Sequence, residues 1–213
     1  SKCFRGNIML IEMKLNAFLD KTASSDPVPG GGSISALAGA SAAGLVEMIA
    51  NITAGGKGLE ATKTEMKEIS GKAAAFRERL SECIDRDSKA YNQVISSFKM
   101  PKNNDAQAKT RTRAIQAALK HAAEVPLWVA SETLKLMTLA EIVLKKGNPN
   151  AVTDGLVAVM MARTAILGAL CNVKINLKSI TDTSYVSKLK AQVREMETTA
   201  MKKEKDLLAL VNL

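Results

Sequence analysis

The segment from Ser33 to Thr53 constrains the fold more than any other stretch of this chain. It runs Ile34-Ser35-Ala36-Leu37-Ala38-Gly39-Ala40-Ser41-Ala42-Ala43-Gly44 and meets its first charge only at Glu47. A helix of about twenty such residues is long enough to cross a bilayer. Yet alanine, glycine and serine gain little on leaving water, and no aromatic belt flanks the run. Small side chains let neighbouring backbones come close, so the segment is expected as a central helix enclosed by others. Gly155 to Val173 has the same character, interrupted by Arg163, and is read the same way.

Helical periodicity runs through the rest of the chain, and strand-like alternation is absent. Ile8, Ile11, Leu15, Phe18 and Thr22 predict a first amphipathic helix. Met66, Ile69, Ala73, Phe76, Leu80 and Cys83 form a seam at spacings of three and four. A long helix follows from Asp105 to Lys146, in which Pro126 predicts a kink or a break near Val125. Gly147 stops it, and Asn148-Pro149 opens the next helix as an amide cap followed by proline. Val186 to Val211 reads as an amphipathic, lysine-rich outer helix. The expectation is one all-α domain over residues 1–213, a bundle of about six long helices.

The inventory of reactive side chains is narrow. There is one histidine, His121, and the three cysteines stand far apart at positions 3, 83 and 171. That cannot supply three or four zinc ligands of the usual kind, and histidine-assisted nucleophile schemes would all depend on His121. His121 itself reads as a surface or structural residue. The scattered cysteines suggest a reducing, cytoplasmic setting. No metal is expected, and carboxylates, amides, hydroxyls and cations remain for chemistry. The net charge of +9 raises a nucleic-acid reading, through Lys99, Lys102, Lys109, Arg111, Arg113 and Lys120. Seven aromatic residues leave little stacking surface, which argues against it. An anionic small ligand would use the same field.

Two local features point to a site. Continuing the Met66–Cys83 seam brings Asp87 to a position where an apolar residue belongs, one turn from Tyr91 on the same face. Asp87 is either solvated or neutralised by a lysine, or it is a partly buried acid with a raised pKa suited to proton transfer. The second feature is Asp26-Pro27-Val28-Pro29-Gly30-Gly31-Gly32-Ser33, immediately before the small-residue helix. Two prolines impose an extended approach, and three glycines let the backbone bend and come close to a ligand. Free amides at the start of the following helix favour an anion there. No Lys-Ser/Thr pair follows the last glycine, so this is not a P-loop.

That loop, taken with other strings, resembles the cyclodeaminase domain of the formiminotransferase-cyclodeaminase family and its free-standing relatives, the methenyltetrahydrofolate cyclohydrolases of cyclodeaminase type. The resemblance also rests on Phe18-Leu19-Asp20 with Ala23-Ser24, Asn51 to Thr53, Asp87 with Tyr91, and Lys99-Met100-Pro101-Lys102. It continues through Ala122-Ala123-Glu124-Val125-Pro126-Leu127, Asn148 to Asp154, and Asn172-Val173 with Asn176. Gly55-Gly56-Lys57-Gly58-Leu59 departs from the family's pattern.

The resemblance implies a dimerising helical subunit, as a homodimer or an assembly of dimers, with no membrane role. It implies a tetrahydrofolate substrate carrying a one-carbon unit, with or without a glutamate tail, and no further cofactor. Two reactions follow from it: hydrolysis of the 5,10-methenyl bridge to 10-formyltetrahydrofolate, and closure of that bridge from 5-formiminotetrahydrofolate with release of ammonia. A base must activate the nucleophile and an acid must protonate the leaving nitrogen. Asp26, with Asp87 or Asp154 as the second group, is expected in these roles. Pro29, Gly30, Gly31, Gly32 and Ser33 would form the backbone cradle, with Tyr91, Asn148, Asn150 and Asn172 orienting the ring. Lys99, Lys102 and Arg163 would meet the glutamate tail. A non-catalytic folate- or partner-binding module is the alternative outside enzymology.

Overall fold

Residues 9–57 and 60–211 are described by a computed structural model of the chain, and they form six α-helices with no strand among them. These are α1 (Leu15–Thr22), α2 (Gly31–Gly55), α3 (Lys63–Phe98), α4 (Asp105–Lys146), α5 (Val152–Leu177) and α6 (Thr183–Leu208). The all-α expectation holds. Cys3, Ile8 and the Gly58-Leu59 part of the divergent stretch lie outside the described residues.

The small-residue segment is the central helix, as its composition requires. α2 packs against α3, α4 and α5, and Ala36, Ala42, Ala43 and Ala50 are wholly buried. Its glycines set how closely the helices approach: a Cβ on Gly39 would stand 2.9 Å from Thr133 Oγ1 of α4. Hydroxyls inside this apolar helix turn back on its own carbonyls, Ser41 Oγ to Leu37 at 2.8 Å and Thr53 Oγ1 to Ile49 at 2.7 Å. α5, the other long apolar helix, packs on α2, α4 and α6. α6 packs on α5 and α4 and lies outermost, burying Leu189, Val193, Met196 and Ala200.

Two expectations need correction. The first amphipathic stretch is split: Leu10–Glu12 forms one 3-10 turn, and Met13 and Lys14 are extended before α1 begins. The turn is held from outside, since Asp85 of α3 accepts the Leu10 and Ile11 amides at 2.7 and 3.2 Å. Pro126, in turn, does not break α4, which is continuous from Asp105 to Lys146. The proline leaves the Ala122 carbonyl without its helical donor. Asn176 of α5 supplies one instead, its Nδ2 donating at 3.0 Å.

The ends of α2 orient the bundle. The Asn148 amide donates to Thr53 Oγ1 at 2.9 Å, so α5 starts beside the C-terminal end of α2. Asn172, near the other end of α5, lies against Gly31, where a Cβ would meet its Nδ2 at 3.3 Å. The two apolar helices therefore run antiparallel.

Candidate active site

α2 begins at a glycine. Gly30 is its N-cap and has no side chain to accept the opening amides. A carboxylate from another helix stands there instead. Asp87 of α3 faces the first turn at Gly32, and its Oδ2 lies 3.3 Å from Ser33 Oγ. The Ser33 hydroxyl has a nearer acceptor in the Ile84 carbonyl at 2.8 Å. The anion expected at this helix start is therefore the protein's own carboxylate. Only glycine fits opposite it, because a Cβ at Gly32 would stand 2.0 Å from Asp87 Oδ1. Burial pushes the Asp87 carboxyl above its ordinary value of 3.8, and the two Ser33 donors only partly offset this. The seam argument thus resolves toward the partly buried acid.

Asp87 faces a cavity of ≈ 320 Å³ enclosed by four helices and the glycine loop. Pro27, Val28, Gly30, Gly31 and Gly32 form one rim, and Asp87, Tyr91 and Val94 of α3 form a wall. Ala122 of α4 and Asn172, Ile175 and Asn176 of α5 complete it. No lysine, arginine or histidine lines this space. The two asparagines differ in what they keep free. Asn172 Nδ2 donates once, to the Gly168 carbonyl at 2.9 Å, whereas Asn176 Nδ2 spends both hydrogens on the Ala122 and Asn172 carbonyls. Asn176 therefore offers a ligand only its oxygen, and Asn172 an oxygen and one N–H. The lining carries one carboxyl held above its usual range and no cationic side chain, which suits a cationic guest.

Several anticipated site residues come together here: Gly30, Gly31, Gly32, Asp87, Tyr91 and Asn172 line the cavity. Pro29 and Ser33 are buried behind the rim. Asp26 stands outside, with its side chain 65% exposed and paired to Lys21 at 3.3 Å. Lys99 and Lys102 are exposed past the C-terminal end of α3 and do not line the cavity. Arg163 faces α6, where it binds Glu204 at 2.9 Å. Asn148, Asn150 and Asp154 stand at the start of α5, about 27 Å along that helix from Asn172. Within one chain they do not meet the cavity. Asn176 was quoted in the family resemblance but given no role. Its spacing of four from Asn172, which puts both on one helix face, was the available signal.

Two residues of the basic stretch are engaged within the fold, and Lys99, Lys102, Lys109 and Arg113 are exposed. Arg111 caps the end of α3 through two contacts to the Phe98 carbonyl, and Lys120 pairs with Asp182 at 2.8 Å. A larger open groove of ≈ 730 Å³ lies on the other flank of the α3–α4 seam formed by Ala90, Val94, Ala122 and Val125. Lys89, Gln93, Ser96 and the half-exposed His121 line it, with no carboxylate. Among the described residues, no three His, Cys, Asp or Glu side chains gather as a metal site would need.

The profile of the formiminotransferase-cyclodeaminase family matches residues 14–195. The chain belongs to that family. It is 36% identical over 183 residues to a methenyltetrahydrofolate cyclohydrolase of Methylorubrum extorquens, with 86% of each chain covered. It is 29% identical over 187 residues to the formimidoyltransferase-cyclodeaminase of Rattus norvegicus, spanning 88% of this chain but only 35% of that protein. Its fold superimposes with a TM-score of 0.83 on the crystal structure of formiminotetrahydrofolate cyclodeaminase from Thermotoga maritima, at 29% identity over 93% of this chain and 96% of that one. The glycine loop, Asp87, Tyr91 and both asparagines all lie inside the matched span.

Proposed function

We propose that this family member is a tetrahydrofolate one-carbon enzyme that hydrolyses 5,10-methenyltetrahydrofolate to 10-formyltetrahydrofolate. The observation that carries the reading is Asp87, a carboxyl with a raised pKa in a cavity without cationic side chains. The methenyl carbon sits in an amidinium and is electrophilic as bound, so a positioned base is the main requirement. The Asp87 carboxylate removes a proton from water as the oxygen bonds to that carbon, and the C=N π electrons move to nitrogen. The tetrahedral adduct then collapses. The carbonyl forms, the bond to N5 breaks, Asp87 returns its proton to N5, and the adduct's hydroxyl proton leaves to solvent. One carboxyl can serve as base and then acid, so neither Asp26 nor Asp154 is required in this scheme. Tyr91, one turn along α3, and Asn172 orient the ring system.

The likeness to the cyclohydrolase of Methylorubrum extorquens, at 36% identity, supports hydrolysis as the first reading. The likeness to the Thermotoga maritima protein keeps cyclodeamination as the second. Both pass through a tetrahedral adduct at the same carbon. Decay of the methenyl chromophore, run beside ammonia release from 5-formiminotetrahydrofolate, separates them. A protein that binds the folate and does neither would be a binding module, and the catalytic reading would fall.

The same proposal includes a homodimer. A cavity of ≈ 320 Å³ holds a bicyclic ring rather than a whole folate. Val157, Met160 and Ile175 leave an apolar stripe of α5 open that ends at the cavity. A second copy covering that stripe would extend the site and bury it. Light scattering coupled to gel filtration tests this, and a monomer at micromolar concentration would refute it.

A further inference from the structure

We infer that Pro126 is a positioning residue: by withholding a backbone N–H from the Ala122 carbonyl, it leaves that carbonyl to hold the Asn176 side-chain amide, and so fixes Asn176 Oδ1 as an acceptor for an N–H edge of the ligand. The inference rests on reading the cavity as the folate site. It adds a recognition element whose origin lies in a different helix from the residue that makes the contact.

In a continuous helix each carbonyl accepts from the amide four residues on, and a proline there leaves the carbonyl orphaned. The orphan in α4 is Ala122, which lies on the cavity wall. Asn176 Nδ2 reaches it from α5 at 3.0 Å and spends its other hydrogen on the Asn172 carbonyl at 2.9 Å. Turning the amide over would set its oxygen against two carbonyl oxygens, so only one orientation is satisfied. Asn176 Oδ1 then has no partner among the described residues. No side-chain oxygen or nitrogen among the described residues is buried without a partner, so this one is open, and its residue lines the cavity. Asn172 differs. Its amide is tied to the Gly168 carbonyl of its own helix, and no proline is involved.

Asn176 and Asn172, one turn apart, line the same space as Asp87. An acceptor fixed as Asn176 Oδ1 is recognises an amino or ring N–H donor, as the pyrimidine side of a reduced pterin carries. An oxo group at that point would meet oxygen with oxygen and be rejected.

The test restores an N–H at position 126. Pro126→Ala and the near-isosteric Pro126→Val are each expected to raise KM for 5,10-methenyltetrahydrofolate about three- to tenfold, with kcat much less affected. Melting temperature should hold or rise in the alanine variant, because alanine favours a helix interior. Asn176→Ala should raise KM about tenfold or more, and adding Pro126→Ala to it should change KM no further, the signature of two residues acting through one contact. Unchanged KM in both Pro126 variants would overturn the inference. So would an effect that adds in full to that of Asn176→Ala, or a loss that tracks a falling melting temperature. Wild-type turnover, measured in the same series, separates the two levels. Its absence removes the folate reading and this inference together, whereas turnover with indifferent Pro126 variants removes only the inference.

Discussion

At one end of the bundle a 3-10 turn, Pro149–Ala151, leads into α5 and is capped by Asn148, whose Oδ1 accepts the Asn150 amide at 2.9 Å. At the other end α2 starts at Gly30, which has nothing to offer, and the carboxyl set against its first turn is Asp87 from α3. Both starts follow a proline-bearing loop, and both carry an aspartate nearby. At the α5 start the cap is local, Asp154 complements the helix dipole, and Ala151 is buried beneath the turn. At the α2 start, three missing side chains leave space, and the cap is a carboxyl drawn out of water. A helix end capped by its own residue is finished, whereas one capped from another helix keeps a reactive group at the edge of a cavity.

The sharpest way to break this comparison is to remove each cap. Asp87→Asn keeps an acceptor for Ser33 but abolishes the base, and methenyl hydrolysis is expected to fall by about 10²–10⁴. Stability should move the other way. Burial raises the Asp87 carboxyl, so the folded chain retains a proton that the unfolded chain has released, and wild-type stability falls as pH rises from 3.8 through the raised value. The asparagine variant therefore gains on the wild type across that window, with a constant lead above it, as melting curves at several pH values would show. The acid limb of kcat/KM should likewise lie above the ordinary carboxylate value. Gly32→Ala comes next. Its Cβ must displace Asp87 or the loop, so activity should drop about a hundredfold while stability falls by about 1–3 kcal/mol. Asn148→Ala removes a cap just as Asp87→Asn does, yet it should cost about 1 kcal/mol in urea unfolding and leave turnover within about twofold.

What could be read in advance divides along the same line between local and distant causes. The central helix was legible because burial on all sides needs small, uncharged residues, and α2 has them throughout. Asp87 was legible because it interrupts a seam whose phase is set by its neighbours. Asp85, two residues earlier and more deeply buried, was not, because its partners are amides of the N-terminal turn more than seventy positions away. Pro126 was legible as an interruption but not as the origin of a contact at the cavity wall, since its consequence depends on Asn176 arriving from α5. Arg163 looked available on an apolar helix until Glu204 of α6 was seen to hold it. Asn148, Asn150 and Asp154 were grouped with the glycine loop by resemblance alone. Residue spacing along the chain carries no information about which end of a long bundle a motif occupies.

The smallest expected effect sharpens the comparison most. Asp154 lies in the first turn of α5, where a carboxylate interacts favourably with the helix dipole. Asp154→Asn should therefore cost about 0.3–1 kcal/mol in stability, more at low salt than at high, and change methenyl hydrolysis by less than about twofold. Both are measurable against Asp87→Asn in one set of preparations. If Asp154→Asn instead matched the loss seen with Asp87→Asn at unchanged stability, the finished helix start would be doing chemistry after all. Since Asp154 stands about 27 Å from Asn172 along α5 within one chain, that carboxylate would have to act in the cavity of a second copy. The same variant mixed with Asp87→Asn protein would then regain activity, because mixed dimers would carry one cavity with both carboxylates intact. Independent cavities predict no such recovery.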